Sequence, residues 1–173
     1  VLALFVGCGR GDRARITVLY TNDLHGHILP ERVFGWQEPT GGYAVFAAWV
    51  KANRSESERA GIPALLLDAG DIFSGTVEGS VTRGRAMIDL MNEVGYDAMT
   101  VGNHEFDFGY YNLERLATSA DFPFLAANIF LKSTGGLPGF VQPYLIREFP
   151  ELKAAIIGVT SDEVRAITMP GNV

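Results

Sequence analysis

Three short segments of this chain bring together residue types that could do chemistry. The first, Thr21-Asn22-Asp23-Leu24-His25-Gly26-His27, offers a carboxylate and an imidazole two positions apart. In an extended segment residues i and i+2 project to the same side, so Asp23 and His25 can converge on one point while Leu24 turns away. That donor pair suits Zn, Mn or Fe better than Ca or Mg, although on its own it also fits an ordinary polar turn. The second segment is Asp68-Ala69-Gly70-Asp71-Ile72-Phe73-Ser74-Gly75-Thr76. Asp71 follows a glycine and can lean over a sheet edge to bridge two ions, whereas Asp68 lies nearer the preceding strand and is read as a structural acceptor for backbone amides. The third, Gly102-Asn103-His104-Glu105-Phe106-Asp107, supplies a neutral oxygen ligand, a histidine and a nearby carboxylate. His27 is read as a loop or surface histidine. Phe106, Phe108, Tyr110 and Tyr111 either line a pocket or simply pack.

Each segment follows a run that reads as a buried strand. Ile16-Thr17-Val18-Leu19-Tyr20 is short, apolar and β-branched, Ala64-Leu65-Leu66-Leu67 precedes the second segment, and Ala98-Met99-Thr100-Val101 precedes the third. Further strands are expected over 124–127, 144–149 and 154–159. Met87, Leu90, Met91 and Val94 fall at i, i+3, i+4 and i+7, as do Leu113, Leu116, Ala117 and Ala120, and each set gives a helix with one apolar stripe. A third helix over 43–51 is apolar on most of its circumference and is expected to pack between layers. Strands alternating with helices, with polar residues gathered just after the strands, predict an α/β fold with its site along the carboxyl edge of the sheet. One domain is expected, without internal repeats.

Composition narrows the function classes. A chain of 173 residues that is 47% hydrophobic can bury a sizeable core. A net charge of -6 and the lack of any Lys/Arg run argue against a nucleic-acid polymer as partner. A small phosphorylated molecule is compatible if bound cations supply the positive charge. The opening Val1-Leu2-Ala3-Leu4-Phe5-Val6-Gly7-Cys8 reads as the tail of a longer apolar segment and resembles a bacterial lipoprotein processing site. Residues 1–12 are therefore expected to be the end of a signal segment and a short linker, with Cys8 as the lipidated membrane attachment point and the protein outside the cytoplasm. No later stretch approaches the ~18 apolar residues needed to cross a bilayer.

Together the three segments resemble the metallophosphoesterase (calcineurin-like) superfamily, whose motifs D-x-H, G-D and G-N-H-E/D stand here, in order, as Asp23-Leu24-His25, Gly70-Asp71 and Gly102-Asn103-His104-Glu105. The longer phrases around them, with Phe122-Pro123-Phe124-Leu125-Ala126-Ala127-Asn128 and Ile157-Gly158-Val159-Thr160-Ser161, resemble the 5′-nucleotidase branch. The resemblance runs from Ile16 to the end of the chain. It implies a layered α/β/β/α core, incomplete here, over residues 13–173, two divalent metal ions such as Zn or Mn, and a nucleotide substrate. It further implies that Asp23 and His25 bind the first metal, Asn103 the second, and Asp71 both. His104 would be the catalytic histidine, oriented by Asp107, and Asn103 and His104 would meet the substrate phosphate. A 2′,3′-cyclic nucleotide phosphodiesterase, a nucleotide-sugar hydrolase or a thiosulfohydrolase would use nearly the same motifs. The superfamily's later histidines are absent, since none of the 3 histidines follows His104. The chain is therefore expected to be the inactive N-terminal part of a longer enzyme, the competing reading being a non-catalytic metal-binding module of the cell envelope.

Overall fold

The computed structural model describes residues 14–32, 34–162 and 164, together with the backbone of residues 2–8. In chain order the elements are β1 (Leu2–Cys8), β2 (Thr17–Thr21), α1 (Tyr43–Arg59), β3 (Ala64–Asp68), α2 (Val77–Val81), α3 (Arg85–Val94), β4 (Ala98–Thr100), a 3-10 turn (His104–Phe106), α4 (Tyr110–Ser119), β5 (Phe124–Leu125), β6 (Val141–Gln142), β7 (Tyr144–Glu148) and β8 (Leu152–Gly158). Strands β2-β3-β4-β5-β6 form a parallel sheet in sequence order, and β1-β8-β7 form a second, antiparallel sheet.

Sequential order in a parallel sheet has a consequence. Right-handed crossovers that always step to the next strand put every connecting helix on the same face. Here α1, α3 and α4 cover one face, packing Val50, Met87, Ile88, Met91, Leu113 and Leu116 against Leu19, Leu66, Met99 and Phe124. The other face is free for the second sheet, where Leu65, Leu67, Ala98 and Leu125 meet Leu152, Ala154 and Ile156. Because strand side chains alternate, β3 is buried on both faces, with Leu65, Leu66 and Leu67 at 1%, 0% and 0% exposure. Each such side chain contributes roughly 1.5–3 kcal/mol by leaving water. The described residues thus form three of the four expected layers, helices, sheet and sheet. The outer face of the second sheet carries Tyr144 and Ile146 half-exposed.

Several expectations need correction. The first helix continues to Arg59 and buries only Tyr43, Val50 and Ser57, while Val45 and Trp49 face solvent, so it lies on one face of the sheet rather than between layers. Apart from these, the backbone of residues 2–8 pairs antiparallel with β8 from Leu2 opposite Gly158 to Cys8 opposite Leu152. The Cys8 side chain and residues 9–13 lie outside the described residues. Helix α2 and the two-residue strand β6 were not anticipated. Among the described residues no helix is long and apolar enough to cross a membrane.

The tightest backbone approach lies beside the chemistry. Gly70 has φ +100°, and a Cβ there would sit 2.7 Å from the Gly102 nitrogen and 2.9 Å from its Cα, so the second and third segments touch main chain to main chain. Gly70→Ala is expected to destabilise the protein by about 1–3 kcal/mol in chemical denaturation, from backbone strain and the need to part the two loops; unchanged stability would show that the loops separate freely.

Candidate active site

The sheet ladder does not stop where β2 and β3 end. Ala69 N donates to Thr21 O (2.9 Å), Asp23 N to Gly70 O, His25 N to Asp71 O and Gly26 N to Ile72 O (each 3.0 Å), and Thr76 N returns to His25 O (3.0 Å). The first two segments are therefore zipped together along their backbones. Within the zip, Asp23, His25 and Asp71 have φ of 53°, 46° and 63°. Asp23 and His25 do not converge through an extended segment, as the i, i+2 argument supposed. They do so through a left-handed turn, a conformation that short polar side chains adopt more readily than most. The result still brings them together, with His25 Nε2 3.7 Å from Asp23 Oδ1.

Glu105 ties in the third segment. Fully buried, it accepts hydrogen bonds from Asp71 N (2.9 Å) and Ile72 N (2.8 Å) on one loop and from Gly102 N (2.6 Å) on the other. Burial, then the charge of Asp71, push its carboxyl up to about 7, against the three amide bonds that favour its ionised form. Asp71 closes the same junction from the other side, its Oδ1 accepting from His104 N at 2.9 Å.

The 3-10 turn places His104 and Asp107, three residues apart, on one side, with His104 Nδ1 2.7 Å from Asp107 Oδ2. Burial pulls the imidazole pKa down, but the hydrogen bond and charge of Asp107, with Asp71 and Glu105 behind it, more than offset this, so it lies above the ordinary histidine value. Ser74 stands beside the pair: its Oγ donates to Asp107 Oδ2 at 2.5 Å and lies 3.1 Å from His104 Nδ1. Its carbonyl oxygen is 3.0 Å from His25 Nδ1, and the His25 and His104 rings meet edge to face with centroids 4.8 Å apart. With Nδ1 of each ring engaged, Nε2 is the nitrogen left for a ligand or a substrate.

The structure thus gathers Asp23, His25, Asp71, Asn103, His104 and Asp107 on loops at one sheet edge. Among the described residues no three His, Cys, Asp or Glu side chains sit close enough to hold an ion by themselves. Asp23, Asp71, His25 and Asn103 instead offer two carboxylates, an imidazole and an amide. The oriented His25 imidazole beside Asp23 is the donor chemistry a divalent transition metal takes. His27 is half-exposed and pairs with the Glu31 carboxylate through Nδ1, away from this set. Phe106 is buried, Tyr110 packs edge to face on Phe140 at 5.3 Å, and Tyr111 is exposed. Phe106 and Tyr110 also line a cavity of about 690 Å³ with Phe130 and Phe140. Ser74 and Glu105 lie within the second and third segments, where residue type and spacing alone assign them no role. Nothing in residue type or spacing marks a serine as the neighbour of a histidine thirty positions away.

A parallel sheet backed by a second sheet, with D-x-H, G-D and G-N-H-E motifs at its carboxyl edge, defines a metallophosphoesterase fold. The calcineurin-like phosphoesterase family profile matches residues 16–153, and the chain belongs to that family. Protein UshA of Salmonella pullorum is 39% identical over 158 residues, covering 90% of this chain and 27% of that protein. Snake venom 5′-nucleotidase of Gloydius brevicauda is 38% identical over 176 residues, covering 98% of this chain and 29% of that protein. Among solved structures, a 5′-nucleotidase precursor from Thermus thermophilus superposes with a TM-score of 0.74 at 32% identity, over 90% of this chain and 30% of that one. The chain spans less than a third of the length of each of these relatives.

Asp68 behaves as the structural acceptor expected. It is fully buried and accepts from Thr21 Oγ1 (2.6 Å) and Gly70 N (2.7 Å), while Thr21 also bonds the Tyr96 hydroxyl at 2.8 Å. Burial pushes its carboxyl up to about 8. A carboxyl raised on folding holds its proton more tightly in the folded state, so its contribution is fully present below the unfolded value and is lost as pH climbs from about 4 through about 8. Asp68→Asn keeps an acceptor for Gly70 and removes that charge. In chelator-treated protein its thermal midpoint, relative to wild type, is expected to be higher at pH 8 than at pH 5; a difference independent of pH would place the charge elsewhere.

Proposed function

We propose that the protein carrying this chain is a metal-dependent phosphoesterase that releases phosphate from nucleoside 5′-monophosphates. The observation that carries this reading is the His104–Asp107 pair standing at the same sheet edge as the Asp23, His25, Asp71 and Asn103 donors. The 5′-nucleotidases among the relatives support the substrate class. Asp23 and His25 would hold one divalent ion, Asn103 a second, and Asp71 both. When bound, such a pair of ions lowers the pKa of a water and neutralises the phosphoryl oxygens.

The remaining steps fall to the chain's own residues. Asn103 and His104 meet the phosphate, its amide and imidazole donating to the oxygens that gain charge. Asp107 holds His104 in one tautomer, with Nδ1 engaged and Nε2 toward the substrate, where it stabilises the transferring group or supplies a proton to the leaving oxygen. Against the lowering effect of burial, the hydrogen bond and charge of Asp107 raise the imidazole pKa and so favour its protonated form. The apolar run ending at Cys8 supports an extracytoplasmic location with Cys8 as a lipid attachment point.

In the full-length protein, exhaustive chelation is expected to abolish phosphate release from adenosine 5′-monophosphate, and added Mn or Zn to restore it; full activity after chelation would refute metal dependence. His104→Ala should lower turnover by about 10² or more with bound metal retained. Loss of metal in elemental analysis, with the rate per metal unchanged, would move His104 into the metal shell instead.

A further inference from the structure

From another segment, the Ser74 side chain contacts the side chains of both His104 and Asp107, and its main chain touches the other site histidine. The two contacts come from different atoms. The hydroxyl donates its single proton to Asp107 Oδ2 at 2.5 Å, which leaves its lone pairs facing His104 Nδ1 at 3.1 Å. The Nδ1–H of His104 is then shared between a carboxylate and a hydroxyl oxygen that are themselves bonded, a three-centre arrangement that fixes the ring plane as well as the tautomer. The carbonyl oxygen accepts from His25 Nδ1 at 3.0 Å. Ser74 is itself anchored, because Gly75 packs on His25 and Thr76 N bonds His25 O at 3.0 Å.

Resting on the phosphoesterase reading above, we propose that Ser74 is a positioning residue for both histidines, its hydroxyl setting the orientation of His104 through Asp107 and its carbonyl that of His25. The division between atoms makes the idea testable. Ser74→Ala deletes the hydroxyl and keeps the carbonyl, so the His104 arm fails while the His25 arm and its metal remain.

The experiment uses the full-length protein as wild type, Ser74→Ala, Ser74→Thr, Asp107→Asn and the Ser74→Ala/Asp107→Asn double variant, with adenosine 5′-monophosphate as substrate. Ser74→Ala should lower kcat about tenfold, the lower end of what an orienting partner commonly contributes, with KM and metal content within about twofold of wild type. Ser74→Thr, which restores a hydroxyl, should recover most of the loss. In the Asp107→Asn background, removing the hydroxyl should add less than about twofold, because Ser74 acts through that carboxylate. An unchanged kcat in Ser74→Ala, an equal loss in both backgrounds, or a loss that tracks metal content or thermal midpoint alone would overturn the proposal. A second measurement stands apart from activity: histidine-selective 15N NMR of the chelator-treated protein, with His104 assigned by His104→Ala. Its Nδ1 resonance should shift in Ser74→Ala and return toward wild type in Ser74→Thr, and an unmoved resonance overturns the proposal. Wild-type protein that never releases phosphate would refute the phosphoesterase reading while the NMR arm still decides the role of Ser74.

Discussion

One buried carboxylate holds the site together. Glu105 receives amides from both sides of a seam, Asp71 and Ile72 from one loop and Gly102 from the other, and so fixes the distance between a candidate bridging ligand and the turn that carries Asn103 and His104. The arrangement is costly in isolation, since burial and the neighbouring Asp71 both oppose its charge. Three N–H donors offset that cost, and they do so only while the two loops stay in register. Site geometry and the ionisation of one interior group are therefore the same constraint seen from two directions.

The rest of the architecture can be traced from that seam. A parallel sheet with its strands in sequence order delivers three successive loops to one edge, and Gly70 against Gly102 lets two of them close to main-chain contact. Burial of β3 on both faces makes it the rigid member from which Asp68 and Asp71 hang. The Thr21–Asp68 bond and the continued ladder through Asp23 and His25 then tie the β2 loop to the same strand. Positioning is thus done mostly by backbone amides, and side chains such as Ser74 refine the aim of rings already brought close.

How much of this was legible in the sequence depends on the kind of signal. Strands β2, β3 and β4 were readable because short apolar runs, β-branched in β2, emptied directly into polar clusters. Helices α3 and α4 were readable from a single stripe, although α3 buries Met87, Ile88 and Met91 most fully, with Leu90 and Val94 only partly covered. The far half of α1 escaped notice because its residues after Val50 are almost all polar and leave no stripe to find. Residues 2–8 show the ambiguity of a short apolar run, which periodicity alone cannot assign to a signal tail or to a strand. The candidate ligands were legible as types in order. Their left-handed backbone, the Glu105 clamp and the Ser74 contact were not, because each depends on which amide or ring a distant segment presents.

The three positive-φ positions have a bearing on how this site can vary. Asparagine shares the tolerance of aspartate for the left-handed region, so at Asp23 and Asp71 an amide can replace the carboxylate without disturbing the peptide geometry. His25 sits in the same region, where a β-branched replacement would be rejected by the main chain before any question of coordination arose. A mutational scan across these positions would therefore mix two filters, one steric and one chemical. Asparagine and glycine are the substitutions that separate them, since they satisfy the first filter and leave only the second to be read.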